Sequence, residues 1–458
     1  MKINPPKAII GEKDPFEHTL FGRKEFAESL TNLLRNVEEN LVVFVNAPWG
    51  EGKTTFAGMW RAQLKKSELD VIYFDAYAAD YFDDPFVSFS GEILELVDTR
   101  LSEGKGLVER REFKETAVEM GKRIAGLAVK VGLRAATLGA VESAHVDELK
   151  EIATGISEIG ADVIEKKIEN YGVEKDALKK FKESLAKLAA KVREEQKFPL
   201  TIIVDELDRC RPDFALGLLE RIKHLFDVEG VAFVLLVNRK QIESYIRTVY
   251  GNVDAEAYLL KFGSLFVDLP NRVPEDRHVN GRKEYCDRLV SHYGFPEQTM
   301  DSHFLAKSIG IFANHFDLTL REIEKVFTIV AIYYSSFLPS RYSNKFENEW
   351  QMALFATLKI KLPSLYDLLL AGKISAIKFY HETNLNQLKL GHEHSFNWEW
   401  MKAHLDWYLM SDDELKKATE DANASNGDLR QVSRDMGGNR TKTIPFFCSS
   451  LNRFSIKP

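Results

Sequence analysis

Ala47-Pro48-Trp49-Gly50-Glu51-Gly52-Lys53-Thr54 follows the apolar run Leu41-Val42-Val43-Phe44-Val45 and precedes small and apolar residues at helical spacing. Strand, glycine loop and helix in that order frame a phosphate-binding loop. Its backbone N–H groups turn inward around anionic oxygens, so side chains must be absent at the crowded positions. Gly50 and Gly52 supply that freedom. Ala47 stands where the usual pattern begins with glycine; we expect this to be tolerated, because that position only turns the chain out of the strand. Lys53 would bring its ammonium to the β and γ phosphates of ATP, and the Thr54 hydroxyl would give Mg²⁺ a hard oxygen. The positive end of the helix starting after Gly52 would face the same anion. Ala47, Pro48, Trp49, Gly50, Glu51, Gly52, Lys53, Thr54 and Thr55 are therefore the expected nucleotide-contacting run.

A site of this kind needs a second, acidic strand, and Ile202-Ile203-Val204-Asp205-Glu206 has that form. Asp205 at the strand tip would support Mg²⁺, and Glu206 would polarise the attacking water as general base, so hydrolysis is expected beside binding. The alternative is a strand end carrying two solvated carboxylates. The next apolar run ends in Val237-Asn238-Arg239, where Asn238 either orients that water through its amide or is an ordinary strand-end turn former.

The rest of the chain fits an α/β fold with a parallel sheet. Val71 to Phe74, Leu200 to Val204 and Val231 to Val237 are continuous apolar runs, typical of parallel strands covered on both faces. Residues 26–37 and 214–226 carry helical spacing. The long interval from Ser90 to Gln196 reads as helical, with seams at Leu149, Ile152, Ile156, Ile159 and Val163 and at Leu178, Phe181, Leu185, Leu188 and Val192. Helices packing on one another or on the core explain these seams most simply; a partner surface is the other reading. We expect a nucleotide-binding core over 10–90 and 197–270, a helical insertion over 91–196, a helical lid over 271–340 and a mixed, mainly helical region over 341–458.

Composition narrows the class. A chain of 458 residues, 45% hydrophobic and 29% charged, can bury a sizeable core. Its formal charge of −7 argues against a protein wrapped in nucleic acid, leaving the partner open. Cys210, Cys286 and Cys448 fit neither a disulfide framework nor a zinc cluster, and the N-terminus lacks a secretory core, so a cytoplasmic protein is expected. Ile124 to Val141 is the stretch nearest to a membrane span, but Lys130 and Arg134 in its middle would each cost about 2.5 to 3.5 kcal/mol at the bilayer centre.

Leu20-Phe21-Gly22-Arg23, the W-G-x-G-K-T of the loop, Tyr73-Phe74-Asp75-Ala76-Tyr77, the acidic strand continuing as Asp205-Glu206-Leu207-Asp208-Arg209-Cys210, and Tyr258-Leu259-Leu260-Lys261-Phe262 together resemble the KAP family of P-loop NTPases. The resemblance spans roughly residues 10–335. It implies an additional-strand ATPase core of the AAA or STAND type, with Gly22 and Arg23 near the adenine and Asp208 and Arg209 shaping the active site. It also implies that Arg321 serves as a sensor arginine in the lid, against the simpler reading of an exposed helix charge. A trans-acting arginine would follow from homo-oligomerisation, with Arg209 and Arg247 as weak candidates. Many family members carry membrane helices between the two nucleotide motifs, a pattern from which Lys130 and Arg134 depart, and Glu206 replaces the second aspartate of the usual D-D-L-D-R-C. The expected function is an ATP-dependent switch acting on a protein effector, a setting that family resemblance links to bacterial phage defence. The alternatives are a nucleic-acid-stimulated motor and a nucleotide-binding scaffold without turnover.

Three weaker features complete the reading. His392-Glu393-His394 lacks a further metal ligand at useful spacing and reads as a surface loop. Trp398, Trp400 and Trp407 read as packed core. Asn423 to Arg440, rich in Asn, Ser and Gly, reads as a loop.

Overall fold

The computed structural model describes residues 1–7, 10–17, 19–81, 85–100, 106–139, 161–271, 281–295, 301–336, 349–388, 397–420, 427–436 and 440–452; side chains within 97–100, 124–139 and 161–174 and at 441 are left aside. Helix α1 (Arg23–Asn36) leads into strand β1 (Leu41–Asn46), and the glycine loop joins β1 to helix α2 (Lys53–Lys66). Strand β2 (Ile72–Asp75) is followed by α3 (Pro85–Arg100) and two long helices, α4 (Leu107–Gly139) and α5 (Ala161–Gln196). Then come β3 (Leu200–Asp205), α6 (Pro212–His224), β4 (Val231–Val237), α7 (Arg239–Tyr250) and β5 (Leu265–Asp268).

The five strands form one parallel sheet in the order β2-β3-β4-β1-β5. Side chains alternate along each strand, so a run that is apolar throughout serves two cores at once. Val42 and Phe44 of β1, Ile202 and Val204 of β3 and Phe233 and Leu235 of β4 face one core. Val43 and Val45, Ile203, and Val234 and Leu236 face the other, against α1 and α2. Because β4 separates β1 from β3, its tip lies between the glycine loop and the acidic pair; Asn46 pairs with Val237, and Val204 with Leu235.

The insertion helices pack on the first core. Of the seam on α5, Phe181, Leu185, Leu188 and Val192 are buried there and Leu178 packs against it. Phe181 meets Phe113 of α4 with ring centroids 5.6 Å apart and Phe226 at 5.6 Å, and Phe226 continues to Phe233 on the sheet at 6.3 Å. The packing reading of this seam therefore holds. Residues 149–160 lie outside the described residues, as does His392-Glu393-His394, and the side chains of Val163, Lys130 and Arg134 are likewise not described. Among the described residues no helix is long and apolar enough to cross a membrane.

Helices α8 (Gly281–Tyr293), α9 (Ser302–His315), α10 (Leu320–Ser335) and α11 (Glu349–Lys361) share one hydrophobic core with α12 (Trp398–Leu409), α13 (Gly427–Asp435) and α14 (Arg440–Leu451). Helix α11 is buried from Trp350 to Leu358, as expected of a helix covered on every side. Trp398 and Trp407 are buried in this core and Trp400 packs against it, as expected. The tail departs from expectation. Residues 427–435 are helical because Leu429 and Val432, three apart, both bury in the shared core, and this tertiary packing outweighs the turn-forming residues around them.

Phe181→Ala should cost about 3–5 kcal/mol, because the void would open between rings tied to both the insertion and the sheet. Urea unfolding measures this, and a loss below about 1 kcal/mol would show that α5 is not anchored through this ring.

Candidate functional site

The loop leaves β1 at Ala47, whose N–H donates to the Val237 carbonyl at 3.0 Å. Its φ is not positive, whereas Gly50 and Gly52 have φ of 89° and 77°. The two glycines supply the left-handed turns, and Ala47 needs none. Lys53, which opens α2, is buried; its ammonium donates to the Ala47 carbonyl at 2.9 Å and to that of Pro48 at 3.5 Å.

The acidic strand ends beside it. Asp205 is wholly buried, and its two oxygens accept from the Glu206 N–H at 2.8 Å and the Tyr73 hydroxyl at 3.0 Å. Glu206 sits at φ 63°, a left-handed conformation that costs a non-glycine residue of order 1–3 kcal/mol. Its Oε1 accepts from the Thr54 hydroxyl at 3.0 Å, and its Oε2 pairs with Arg209 at 2.5 Å. Thr54 and Glu206, 152 residues apart, thus meet. Burial pushes both carboxyls above their ordinary range; for Glu206 the Thr54 hydrogen bond and the Arg209 charge oppose it, and for Asp205 the nearby Thr54 hydroxyl and the bonds from the Glu206 N–H and Tyr73 do so.

This donor set suits a hard divalent ion. Two desolvated carboxylates lie beside a hydroxyl which, while donating its single proton to Glu206, keeps oxygen lone pairs for a cation. No group of three or more His, Cys, Asp or Glu forms a metal cage among the described residues.

Arg23 lies behind the loop. Its guanidinium donates to the Glu51 carbonyl at 2.6 Å and to that of Pro270 at 3.3 Å, and stands over the Phe21 ring at 5.3 Å. Gly22 caps α1 at φ 65°. Burial lowers the Arg23 pKa to about 10, with Glu51 opposing. Glu51 is itself buried; desolvation raises its pKa, while Arg282 and Arg23 pull it down. Arg282 belongs to α8 and pairs with Asp317 at 2.8 Å. Charges on α1 and α8 therefore both act on the loop.

Helix α10 touches the loop directly. The Arg321 N–H donates to the Gly50 carbonyl at 3.1 Å, and Thr319 closes the start of α10 with a reciprocal capping box to Glu322. A Cβ on Gly50 would lie 2.6 Å from the Arg321 Cβ. The side chain of Arg321 itself is exposed. Asn238, at the β4 tip, does not cap the helix it precedes; its N–H donates to Asp208 Oδ2 at 2.9 Å. Thr55, with its Cβ 3.8 Å from where a Gly52 side chain would start, follows Thr54 along α2. Arg247 pairs with Glu243 at 3.8 Å, and Arg209 is engaged with Glu206 in its own chain.

Sequence reasoning gave no chemistry to Tyr73, Arg282 or Asp317. For Tyr73 the signal was its place two residues before Asp75, which pairs with Asp205 in the parallel register. For Arg282 and Asp317 no local pattern distinguishes them from exposed helix-end charges.

Ala47→Gly should leave nucleotide affinity unchanged and cost only about 0.5–1 kcal/mol of stability through added chain entropy. Gly50→Ala, with a strained φ and a Cβ inside van der Waals contact of Arg321, should displace α10 and lower both the melting temperature and affinity. Equal melting temperatures for Gly50→Ala and the wild type would contradict the contact.

The model of the KAP family P-loop domain matches residues 23–337. Among solved structures, that of the Aeropyrum pernix ORC2 protein in ADPNP-ADP complexes is similar at 13% identity, covering 96% of this chain and 90% of that one. Its TM-score of 0.33 is too low for the likeness to bear on function. No curated protein matches this chain in sequence. With the family model covering most of the chain, and with the loop, the acidic strand end and the strand between them meeting at the C-terminal ends of the three central strands of a parallel sheet, this chain belongs to the KAP family of P-loop NTPases.

Proposed function

We propose that the chain binds and hydrolyses Mg-ATP and uses the cycle as a switch on a protein partner. The observation that supports the switch most is the hydrogen bond from the Arg321 N–H of the lid to the Gly50 carbonyl of the phosphate loop, because any adjustment of the loop around phosphate must pass to α10. The backbone of residues 50–54 and the Lys53 ammonium hold the phosphates. Thr54 and Asp205 would hold Mg²⁺, which when bound would neutralise charge developing on the phosphate oxygens. Glu206 takes the proton of the attacking water on Oε1; Thr54 uses one lone-pair direction of that oxygen and leaves another. Arg209 keeps the carboxylate aimed, and Asn238 orients the water from the neighbouring strand tip. In the phage-defence setting that the family suggests, the partner would be an effector protein whose contact with the lid or the C-terminal helices changes over the cycle.

Lys53→Ala should abolish Mg-ATP binding in calorimetry. Glu206→Gln should keep binding and reduce turnover by about 100-fold or more. Negligible turnover in both wild type and Glu206→Gln with binding intact would instead make the chain a scaffold.

Because Glu206 must be ionised and burial raises its pKa, activity should be full above that raised value and fall with decreasing pH through it, above the ordinary glutamate value of about 4.3. Arg209 favours the ionised form, so Arg209→Ala should move this acid limb further upward. An unmoved limb in that variant would remove Glu206 as the titrating group.

A further inference from the structure

Asp208 occupies a single turn after the acidic strand and is 1% exposed. One of its oxygens, Oδ2, receives three donors from three parts of the chain. The Trp49 indole N–H lies at 2.8 Å, the Asn238 backbone N–H at 2.9 Å and the Lys53 ammonium at 3.2 Å. Its backbone carbonyl accepts the Tyr245 hydroxyl at 2.9 Å, which fixes the turn against α7.

A carboxylate oxygen has two in-plane lone-pair directions, and the two shorter bonds, from the indole and the strand-tip N–H, satisfy them. Lys53 is then held chiefly by charge. Its departure toward phosphate would leave Oδ2 fully hydrogen-bonded, so no buried acceptor is orphaned when the ammonium turns to another anion. Trp49, by contrast, is 44% exposed, so burial does not fix its ring and the indole bond does.

We propose that Asp208 and Trp49 together are positioning residues that tie the phosphate loop to the tip of β4, keeping Asn238 in register with Lys53 during turnover. The proposal rests on the nucleotide reading above and deepens it. The tie joins the loop to the strand tip that would orient the water, and loss of its indole bond leaves the phosphate-binding N–H groups and the Lys53–Asp208 pair in place. Breaking it therefore slows chemistry more than it weakens binding.

The test compares Trp49→Phe, Asp208→Asn and the double variant in the full chain. Trp49→Phe should lower kcat about tenfold while the Kd for Mg-ATP stays within about threefold, in line with the loss of an outer-shell partner. The double variant should be no slower than the slower single one, because both break one tie. Trp49→Phe introduces no unpaired charge, so it decides the matter should Asp208→Asn fail to fold. A second readout needs no activity. In the wild type with indole-¹⁵N-labelled tryptophan, the Trp49 resonance, assigned among the six by its absence in Trp49→Phe, should exchange slowly with solvent despite its exposure, and in Asp208→Asn it should shift and exchange faster. An active wild type whose Trp49→Phe variant keeps kcat within about twofold, or singles whose losses multiply, overturns the proposal. A wild type without ATP binding or turnover overturns the nucleotide reading itself, and is distinguished by the wild type alone.

Discussion

A buried ammonium must have a counter-charge, and around this requirement the site is arranged. Lys53 and Asp208 are both almost wholly enclosed, and either alone would carry a desolvation penalty of several kcal/mol. The pair is kept together by the fold rather than by its own attraction. Lys53 is fixed at the first turn of α2, and Asp208 by a turn that follows β3 and is braced by Tyr245. With β4 placed between β1 and β3, the Asn238 N–H at its tip joins the same carboxylate. The strand order is thus a condition of the electrostatics.

The same economy governs the junction of the loop with α8 and α10. Glu51 is buried, and the charges of Arg282 on α8 and Arg23 on α1 pull its pKa down against desolvation. Neither arginine relieves the desolvation fully, since the carboxyl remains above its ordinary range. Gly50 adds a steric constraint at the same place, with Arg321 packed where a side chain would begin.

Much of this was legible in the sequence because it is local. Continuous apolar runs predicted strands buried on both faces, and Gly50, Gly52, Lys53 and Thr54 predicted a loop whose turns the backbone angles bear out. Asp205 and Glu206 could be placed because a strand end is a one-dimensional signal. The bond between Trp49 and Asp208 joins residues 159 apart, and neither residue type announces it. Helix α13 escaped notice for a different reason: its propensity is poor, and only burial of Leu429 and Val432 in the shared core selects it.

Glu206 shows how backbone strain and side-chain function are linked here. Had its φ been negative, the chain would have continued the alternation of β3, in which neighbouring side chains point to opposite faces. The left-handed turn instead lets its N–H close onto its neighbour Asp205 while its carboxylate reaches Thr54 and Arg209. Both acidic residues then face the loop from consecutive positions. Glycine would adopt this turn without strain but has no carboxylate, and aspartate is one methylene shorter. Glutamate here accepts a conformational cost of order 1–3 kcal/mol, offset by two charge-assisted contacts that a shorter side chain would have to span from farther away.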